Sequence, residues 1–302
     1  MKEIHLVKTP RSLKKTLLAA VAVVPLIALM AGCAGTAGGE DVVKIGVVDA
    51  SEPYWDVYKE AAADAGITVE LVNFATYEQP NPALTAGEVD LNQFQTIVYL
   101  ANYNVASKQD LTAIGATAIY PLGLYSTQYD NVDQIKKGDT VAVPNDKSNM
   151  ARALVVLQSA GLIELTDGGT ISSSLDDIDT DASRVKVTAL EASLTTTSLP
   201  DVAAAIVNNE FVGKAGLSFA DALAQDDPAA AQSVPYANVF AARGEDKDNA
   251  TYKELVQIYQ TTKAVQDGVR NASGDTAVLL TTPVSELEAS RAAVEKETAA
   301  QQ

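Results

Sequence analysis

Two side chains in this sequence of 302 residues have strong chemistry of their own, Cys33 and His5, and each occurs once. Cys33 closes the string Leu29-Met30-Ala31-Gly32-Cys33. Upstream lie Lys2, Lys8, Arg11, Lys14 and Lys15, followed by an apolar run from Leu17 to Met30. A basic head, an apolar stretch and small residues before a cut describe an export signal rather than a structural helix. Thr16 to Met30 is also shorter than the ~20 apolar residues that span a bilayer. A cysteine at the first position after the cut predicts a thiol carrying diacylglycerol, since two or more acyl chains give stable anchoring. The alternative is a plain signal peptide with an incidental cysteine nearby. His5 falls inside the signal, so residues 33–302 contain no histidine and no second thiol. Serine–histidine triads, cysteine nucleophiles, imidazole bases and histidine metal sites are excluded for that stretch. Zinc or iron held by carboxylates alone suits neither ion, and no metal or cofactor is expected. No constellation of carboxylate, Lys, Tyr or Ser for catalysis is evident. Elimination leaves a binding protein.

The elements that must position such a binding site follow from residue 42 onward. Ala34 to Glu40 is a small, Gly-rich tether. Beyond it, short β-branched runs alternate with helical segments. Strands are predicted at 42–48, 67–73, 112–120, 140–143, 185–190, 204–208 and 238–242. Helices are predicted at 54–65, 81–87, 96–105, 148–160 and 249–268, the fourth closed by Gly161. The stretch 165–182, rich in Gly, Ser, Thr and Asp, reads as a long loop, and 283–302 as a polar helix or a frayed tail. Such alternation predicts an α/β architecture with largely parallel sheets. The net charge is −17 overall and, because the leader holds five basic residues and one acid, −21 for the remainder. That acidity disfavours nucleic acid and anionic headgroups as partners.

The string from Asp139 to Leu154, Asp-Thr-Val-Ala-Val-Pro-Asn-Asp-Lys-Ser-Asn-Met-Ala-Arg-Ala-Leu, closely resembles a segment of the methionine-binding lipoproteins, the substrate receptors of methionine ABC importers. Further matches come in the same order: Asn73-Phe74, Asn81-Pro82-Ala83-Leu84 with Gly87-Glu88-Val89-Asp90, and Phe94-Gln95-Thr96-Ile97-Val98-Tyr99-Leu100. Tyr120-Pro121-Leu122-Gly123-Leu124-Tyr125-Ser126, Leu190-Glu191-Ala192, Ala205-Ile206-Val207-Asn208 and Pro235-Tyr236-Ala237-Asn238-Val239 complete the series. Together they cover roughly 43–270, and Cys33 fits the same family.

The resemblance implies a type II periplasmic-binding-protein fold, two α/β lobes with a ligand cleft between them. Residues 1–32 would be the signal peptide and 33–41 the lipid-anchored tether. Lobe 1 would comprise 42–125 plus 237–302, and lobe 2 residues 126–236. Ligands of open α/β sheets bind at the carboxyl ends of strands, where the matched segments fall. The implied function is an extracytoplasmic solute-binding lipoprotein on the outer face of a cell membrane, delivering methionine to a permease and its cytoplasmic ATPase. It would not be an enzyme.

A zwitterion needs an anion holder, an ammonium holder and a side-chain pocket. The resemblance puts Arg152 on the carboxylate, with a helix N-terminus beside it and Asn149 on the same face. Residue type alone allows a surface arginine paired with Asp146 or a neighbouring acid. Asn208 and Asn238 end apolar strand runs, where asparagine ordinarily caps a helix or closes a turn; the resemblance makes both ligand contacts. Glu191 is placed on the ammonium, directly or through another residue, the alternative being an exposed acid paired with Lys186. Phe94, Tyr99 and Tyr120, with Phe74 after them, would line a thioether pocket, because sulfur packs well at ring edges; plain core is the alternative for each. One departure stands out: the family histidine after Phe-Gln is Thr96 here. The same scaffold with another ligand (a methionine dipeptide, D-methionine or another apolar amino acid) is therefore the second expectation. An exported enzyme or a surface lipoprotein without a ligand comes after it.

Overall fold

Residues 42–230 and 233–301 are described in the structure, a computed structural model. The signal, Cys33 and the tether lie outside the described residues.

Two five-stranded sheets organise the chain. The first holds β1 (Val43–Val47), β2 (Val69–Asn73), β3 (Leu91–Thr96), β4 (Thr112–Ala116) and β11 (Asn238–Ala242) in the order β2-β1-β3-β11-β4. The second holds β6 (Gly123–Tyr125), β7 (Thr140–Pro144), β8 (Lys186–Leu190), β9 (Ala204–Val207) and β10 (Ala224–Gln225) in the order β10-β6-β9-β7-β8. Two short strands, β5 (Ala118–Ile119) and β12 (Val278–Leu279), pair antiparallel beside them. These sheets with their helices are the two α/β lobes of the expected fold.

The expected parallel pairing holds for β1 with β2 and β3, and for β7 with β8 and β9. Each sheet also contains one strand running against its neighbours: β11 opposes β3 and β4, and β6 opposes β9 and β10. The sheets are mixed, and for one reason in both. Relative to its first two strands, each sheet has the same order, and the reversed strand lies beside the third. In the second sheet that strand, β6, follows the last strands of the first; in the first sheet it is β11, which follows β10. A chain arriving from the other lobe enters from the opposite direction, so its strand pairs antiparallel. Asn238 thereby lies opposite Thr96 across β11 and β3.

Among the described residues there are eight α-helices: α1 (Tyr54–Asp64), α2 (Pro80–Thr85), α3 (Ile97–Ser107), α4 (Lys147–Ser159), α5 (Asn209–Val212), α6 (Ala250–Thr261), α7 (Lys263–Ala272) and α8 (Val284–Ala300). The single helix predicted over 249–268 is two, because Thr262 leaves the helical region (φ −74°, ψ 108°). The tail beyond Pro283 is a helix, α8, seated on α3 and β4. Its Glu288 accepts from the backbone N–H of Ala113 at 3.0 Å and from Thr112 Oγ1 at 2.9 Å, which joins it to the edge strand β4.

In the first lobe α1 buries Tyr54, Trp55, Tyr58 and Ala62, a stripe at helical spacing. Trp55 and Tyr58 meet each other and Tyr259, and Tyr259 meets Phe240, with ring centroids 5.3–5.9 Å apart, mostly edge to face, an arrangement aromatic quadrupoles favour. Close approach of α7 to α1 depends on Gly268, where a Cβ would fall 2.5 Å from the Cβ of Tyr54. The second lobe packs Leu154 and Leu157 of α4 against Val141, Val143 and Ile206 of its sheet.

Candidate functional site

A cleft of about 880 Å³, its open mouth included, lies between the ends of the two sheets. Of the residues expected there, Phe94, Tyr99, Tyr120, Asn149, Arg152, Asn208 and Asn238 all line it. Glu191 does not. Its carboxylate caps the short turn Ala192–Leu194, accepting from the backbone N–H of Ser193 at 3.0 Å and from the Ser193 hydroxyl. Strand β8 ends one residue earlier, and an acid immediately after a strand and before a turn finds the turn's unpaired N–H groups first. Its negative charge still bears on Tyr99 and Asp146. Phe74 is also outside the cleft lining; it lies over Gly46, where a Cβ would meet its ring at 2.9 Å.

Arg152 sits in the second turn of α4 and is 7 % exposed. Asp146 is not its partner. That residue is the N-cap of α4, accepting from the backbone and side-chain amides of Asn149. The arginine partner is Asp226, which comes in from the loop after β10. Arg152 Nε donates to Oδ2 at 2.6 Å and Nη2 to Oδ1 at 3.1 Å, and Nη2 also donates to the carbonyl of Tyr120 at 2.7 Å. The Tyr236 ring lies 4.7 Å from the guanidinium carbon. A forked carboxylate, a carbonyl and an aromatic face fix a planar cation that a point-charge lysine could not match. Nη1 has no partner among the described residues. Asp226 gave no sequence signal, since an acid in the loop Gln225-Asp226-Asp227-Pro228 reads as solvated.

Thr96, where the resemblance implied a histidine, is the N-cap of α3: its hydroxyl accepts from the backbone N–H of Tyr99 at 3.2 Å. The departure therefore supplies a helix cap at the cleft wall. Tyr99 in turn donates its hydroxyl to the Tyr77 carbonyl at 2.9 Å, and Phe94 meets Tyr99 nearly edge to face at 5.5 Å. Tyr77, which packs at 6.0 Å from Phe94 and 5.6 Å from Phe211, completes this aromatic wall. Tyr99 and Tyr120 are held protonated by burial.

Behind the wall stand amides that the hydropathy pattern hides. Strand β3 reads Leu-Asn-Gln-Phe-Gln-Thr and was not among the predicted strands, because alternation of apolar and polar residues fails in it. Its amides Asn92, Gln93 and Gln95 are buried. Asn81 Nδ2 donates to Gln95 Oε1 at 2.7 Å, Asn92 Nδ2 to Asn81 Oδ1 at 2.8 Å, and Gln95 Nε2 to Asn81 Oδ1 at 2.7 Å and Asn92 Oδ1 at 2.8 Å. Gln93 Nε2 donates to Thr117 Oγ1 at 3.1 Å. A network with its members satisfied is rigid, and it sets Gln93 and Gln95 in the cleft lining.

On the second lobe Asn208 Nδ2 donates to Asn149 Oδ1 at 2.9 Å, while Asn208 Oδ1 and Asn209 Nδ2 are buried without a partner. Asn238 lines the cleft from the start of β11, and its side-chain amide has no partner among the described residues. Three further acids line the cleft and were not anticipated: Asp49 and Glu52 after β1, and Glu210 in α5. Burial raises the pKa of each, that of Glu210 to about 6. Among the described residues no group of three or more His, Cys, Asp or Glu could hold a metal ion. No helix among them is long and apolar enough to cross a membrane.

Comparison with known proteins agrees with this geometry. A family model described as NlpA lipoprotein matches residues 43–279. The D-methionine-binding lipoprotein MetQ of Yersinia pestis is 35% identical over 272 residues, covering 88% of this chain and 98% of that one. The substrate-binding protein of a methionine transporter from Streptococcus pneumoniae superposes with a TM-score of 0.74 at 35% identity, covering 79% and 95%. Protein PG110 from Staphylococcus aureus gives a TM-score of 0.79 at 33% identity, covering 83% and 99%. The relatives that carry a functional name are binding proteins, and on a match of this extent the chain belongs to the NlpA lipoproteins.

Proposed function

We propose that this protein is an extracytoplasmic lipoprotein, anchored through Cys33, that captures methionine between its lobes and delivers it to an ABC importer. One observation carries the ligand class. Arg152 is locked by Asp226 and the Tyr120 carbonyl, with Nη1 unpartnered among the described residues, in the same cleft as an aromatic wall and asparagine amides. The guanidinium suits a carboxylate, the amides suit both ends of a zwitterion, and Phe94, Tyr99 and Tyr77 suit a thioether. Relatives named for methionine binding and methionine transport at about 35% identity support the same choice. The lobe boundaries, with crossovers near Tyr125 and Tyr236, belong to this reading. Ligand bridging the lobes favours the closed arrangement, which docks on the permease.

The test is isothermal titration of residues 42–302, unfolded and refolded to strip bound ligand, with L-methionine and then D-methionine. Saturable binding at micromolar Kd or tighter is expected for one or both. A folded protein that gives no heat and no thermal shift with either would reject methionine as the ligand.

A further inference from the structure

The cleft holds more negative charge than its own residues balance. Asp49, Glu52 and Glu210 line it, and none forms an ion pair among the described residues. Asp49 raises the pKa of both Glu52 and Glu210 through its charge, so the three share one field. Phenols and an indole answer it in part: Tyr54 Oη donates to Asp49 Oδ2 at 2.7 Å, Trp55 Nε1 to Asp49 Oδ1 at 3.0 Å, and the Tyr77 hydroxyl to Glu210. Neutral donors supply no countercharge. The nearby cation is Lys214, which lowers all three acids, yet its Nζ donates to the Val48 carbonyl at 3.2 Å and lies 5.7 Å from the Phe211 ring centroid. One lysine against three carboxylates leaves the group short of positive charge.

An independent observation points to what enters. Asn208, 91 % buried on the same cleft wall and two residues before Glu210, has its Nδ2 on Asn149 while its Oδ1 accepts from no described residue. A buried acceptor without a donor costs roughly 1–3 kcal/mol, so the position suits a ligand that brings N–H groups. Carboxylates and a bare amide oxygen together ask for a donor carrying positive charge. Glu191, where the resemblance put this role, is engaged at its own turn.

We propose that Glu210 and Asp49, with the Asn208 Oδ1, hold the ammonium group of the bound amino acid, opposite the carboxylate held by Arg152. This rests on the methionine reading above and assigns its cationic end. It also gives the cleft a pH response. The charged and titratable groups acting on Glu210 are Tyr77, Asp49 and Lys214; Asp49 also acts on Glu52, and Tyr120 faces all three acids. Glu210 titrates near 6, so protonation between pH 7.5 and 5.5 removes charge from the ammonium site.

The experiment compares E210Q with the wild type by titration with L-methionine and with 4-(methylthio)butanoate, the same molecule without its amino group. Glutamine keeps the shape and an acceptor but loses the charge. At pH 7.5 E210Q is expected to bind L-methionine at least tenfold more weakly while its affinity for 4-(methylthio)butanoate stays within twofold. Wild-type affinity for L-methionine should fall severalfold from pH 7.5 to 5.5, and E210Q should flatten that fall. E210Q binding L-methionine like the wild type would overturn the assignment, as would equal losses for both ligands. Wild-type protein that binds no methionine would instead reject the ligand reading itself. Should E210Q fail to fold by circular dichroism, D49N is read by the same criteria.

Discussion

The two ends of the cleft are built on opposite terms. At the Arg152 end the charge is matched within the protein: a forked Asp226, the Tyr120 carbonyl and the Leu122 N–H, which donates to the same aspartate at 2.8 Å, close the local account of donors and acceptors save for Nη1. At the Glu210 end carboxylates outnumber cations and Asn208 keeps an orphaned acceptor. One end is rigid before any ligand arrives. The other is unfavourable until one does. A binding protein gains from both: preorganisation lowers the ordering cost on binding, and an unsatisfied group adds differential affinity for the occupied state.

Changes at the rigid end should therefore damage fold and affinity together. Arg152→Ala leaves Asp226 and the Tyr120 carbonyl without their cation, and removing one partner of a buried ion pair costs about 3–5 kcal/mol. Part of that is offset here because the aspartate side chain is 25% exposed. Urea unfolding should show a loss of about 2 kcal/mol or more, and titration should show methionine affinity down at least a hundredfold. Arg152→Lys restores charge without the fork and should recover stability better than affinity. A variant that binds normally while unfolding earlier would break the comparison, because it would make Arg152 a purely structural residue.

Next in size is the amide network behind the aromatic wall. Asn81 exchanges three hydrogen bonds with Asn92 and Gln95, and all three residues are buried. Asn81→Ala strands buried amide groups on both partners, so a loss of about 1–3 kcal/mol is expected in urea unfolding. Affinity should fall only severalfold, since Gln95 retains its bond to Asn92. A larger effect on binding than on stability would place Gln95, rather than Arg152, at the centre of ligand recognition.

Which of these features the sequence discloses follows from how local each one is. Strand β11 coincides with its predicted 238–242, and β1, β7 and β8 lie within a residue or two, because β-branched and alanine runs bounded by polar residues signal them directly. Arg152 and Asn149 lie in a continuous string beside their own helix cap, so type, spacing and resemblance point the same way. Asp226 is 74 residues from Arg152, in a loop with no periodicity, and nothing local marks it. Strand β3 was hidden because its buried face is made of amides satisfying one another, a pattern hydropathy reads as exposed. Glu210 and Asp49 were missed for a related reason: charged residues are mostly solvated, and the exceptions are recognised from their surroundings. The two reversed strands, β6 and β11, depend on the path between lobes and have no local signature.

The smallest effect separates the two ends most cleanly. Glu210 has its pKa raised by burial from 4.5 to about 6, and Asp49, Asp146 and Glu52 are raised by burial as well. A carboxyl that holds its proton more tightly folded than unfolded stabilises the protonated fold, so stability grows as pH falls through the folded pKa and fades above it. Ligand-free protein should thus melt a few degrees higher near pH 5.5 than at pH 7.5. Glu288 runs the other way: burial raises it, but bonds from Arg291 and the Ala113 N–H outweigh that and leave its pKa below 4.5, so its contribution disappears only in stronger acid. The rise should turn over there. General relief of a highly negative chain also favours mild acid, so the decisive observation is the difference between E210Q and the wild type. E210Q should gain stability at pH 7.5 and show a shallower slope between pH 7.5 and 5.5, whereas Arg152→Lys should shift the curve without changing its slope. Parallel curves for E210Q and wild type would mean that Glu210 is solvated in the free protein, and the contrast between a satisfied end and a strained one would disappear.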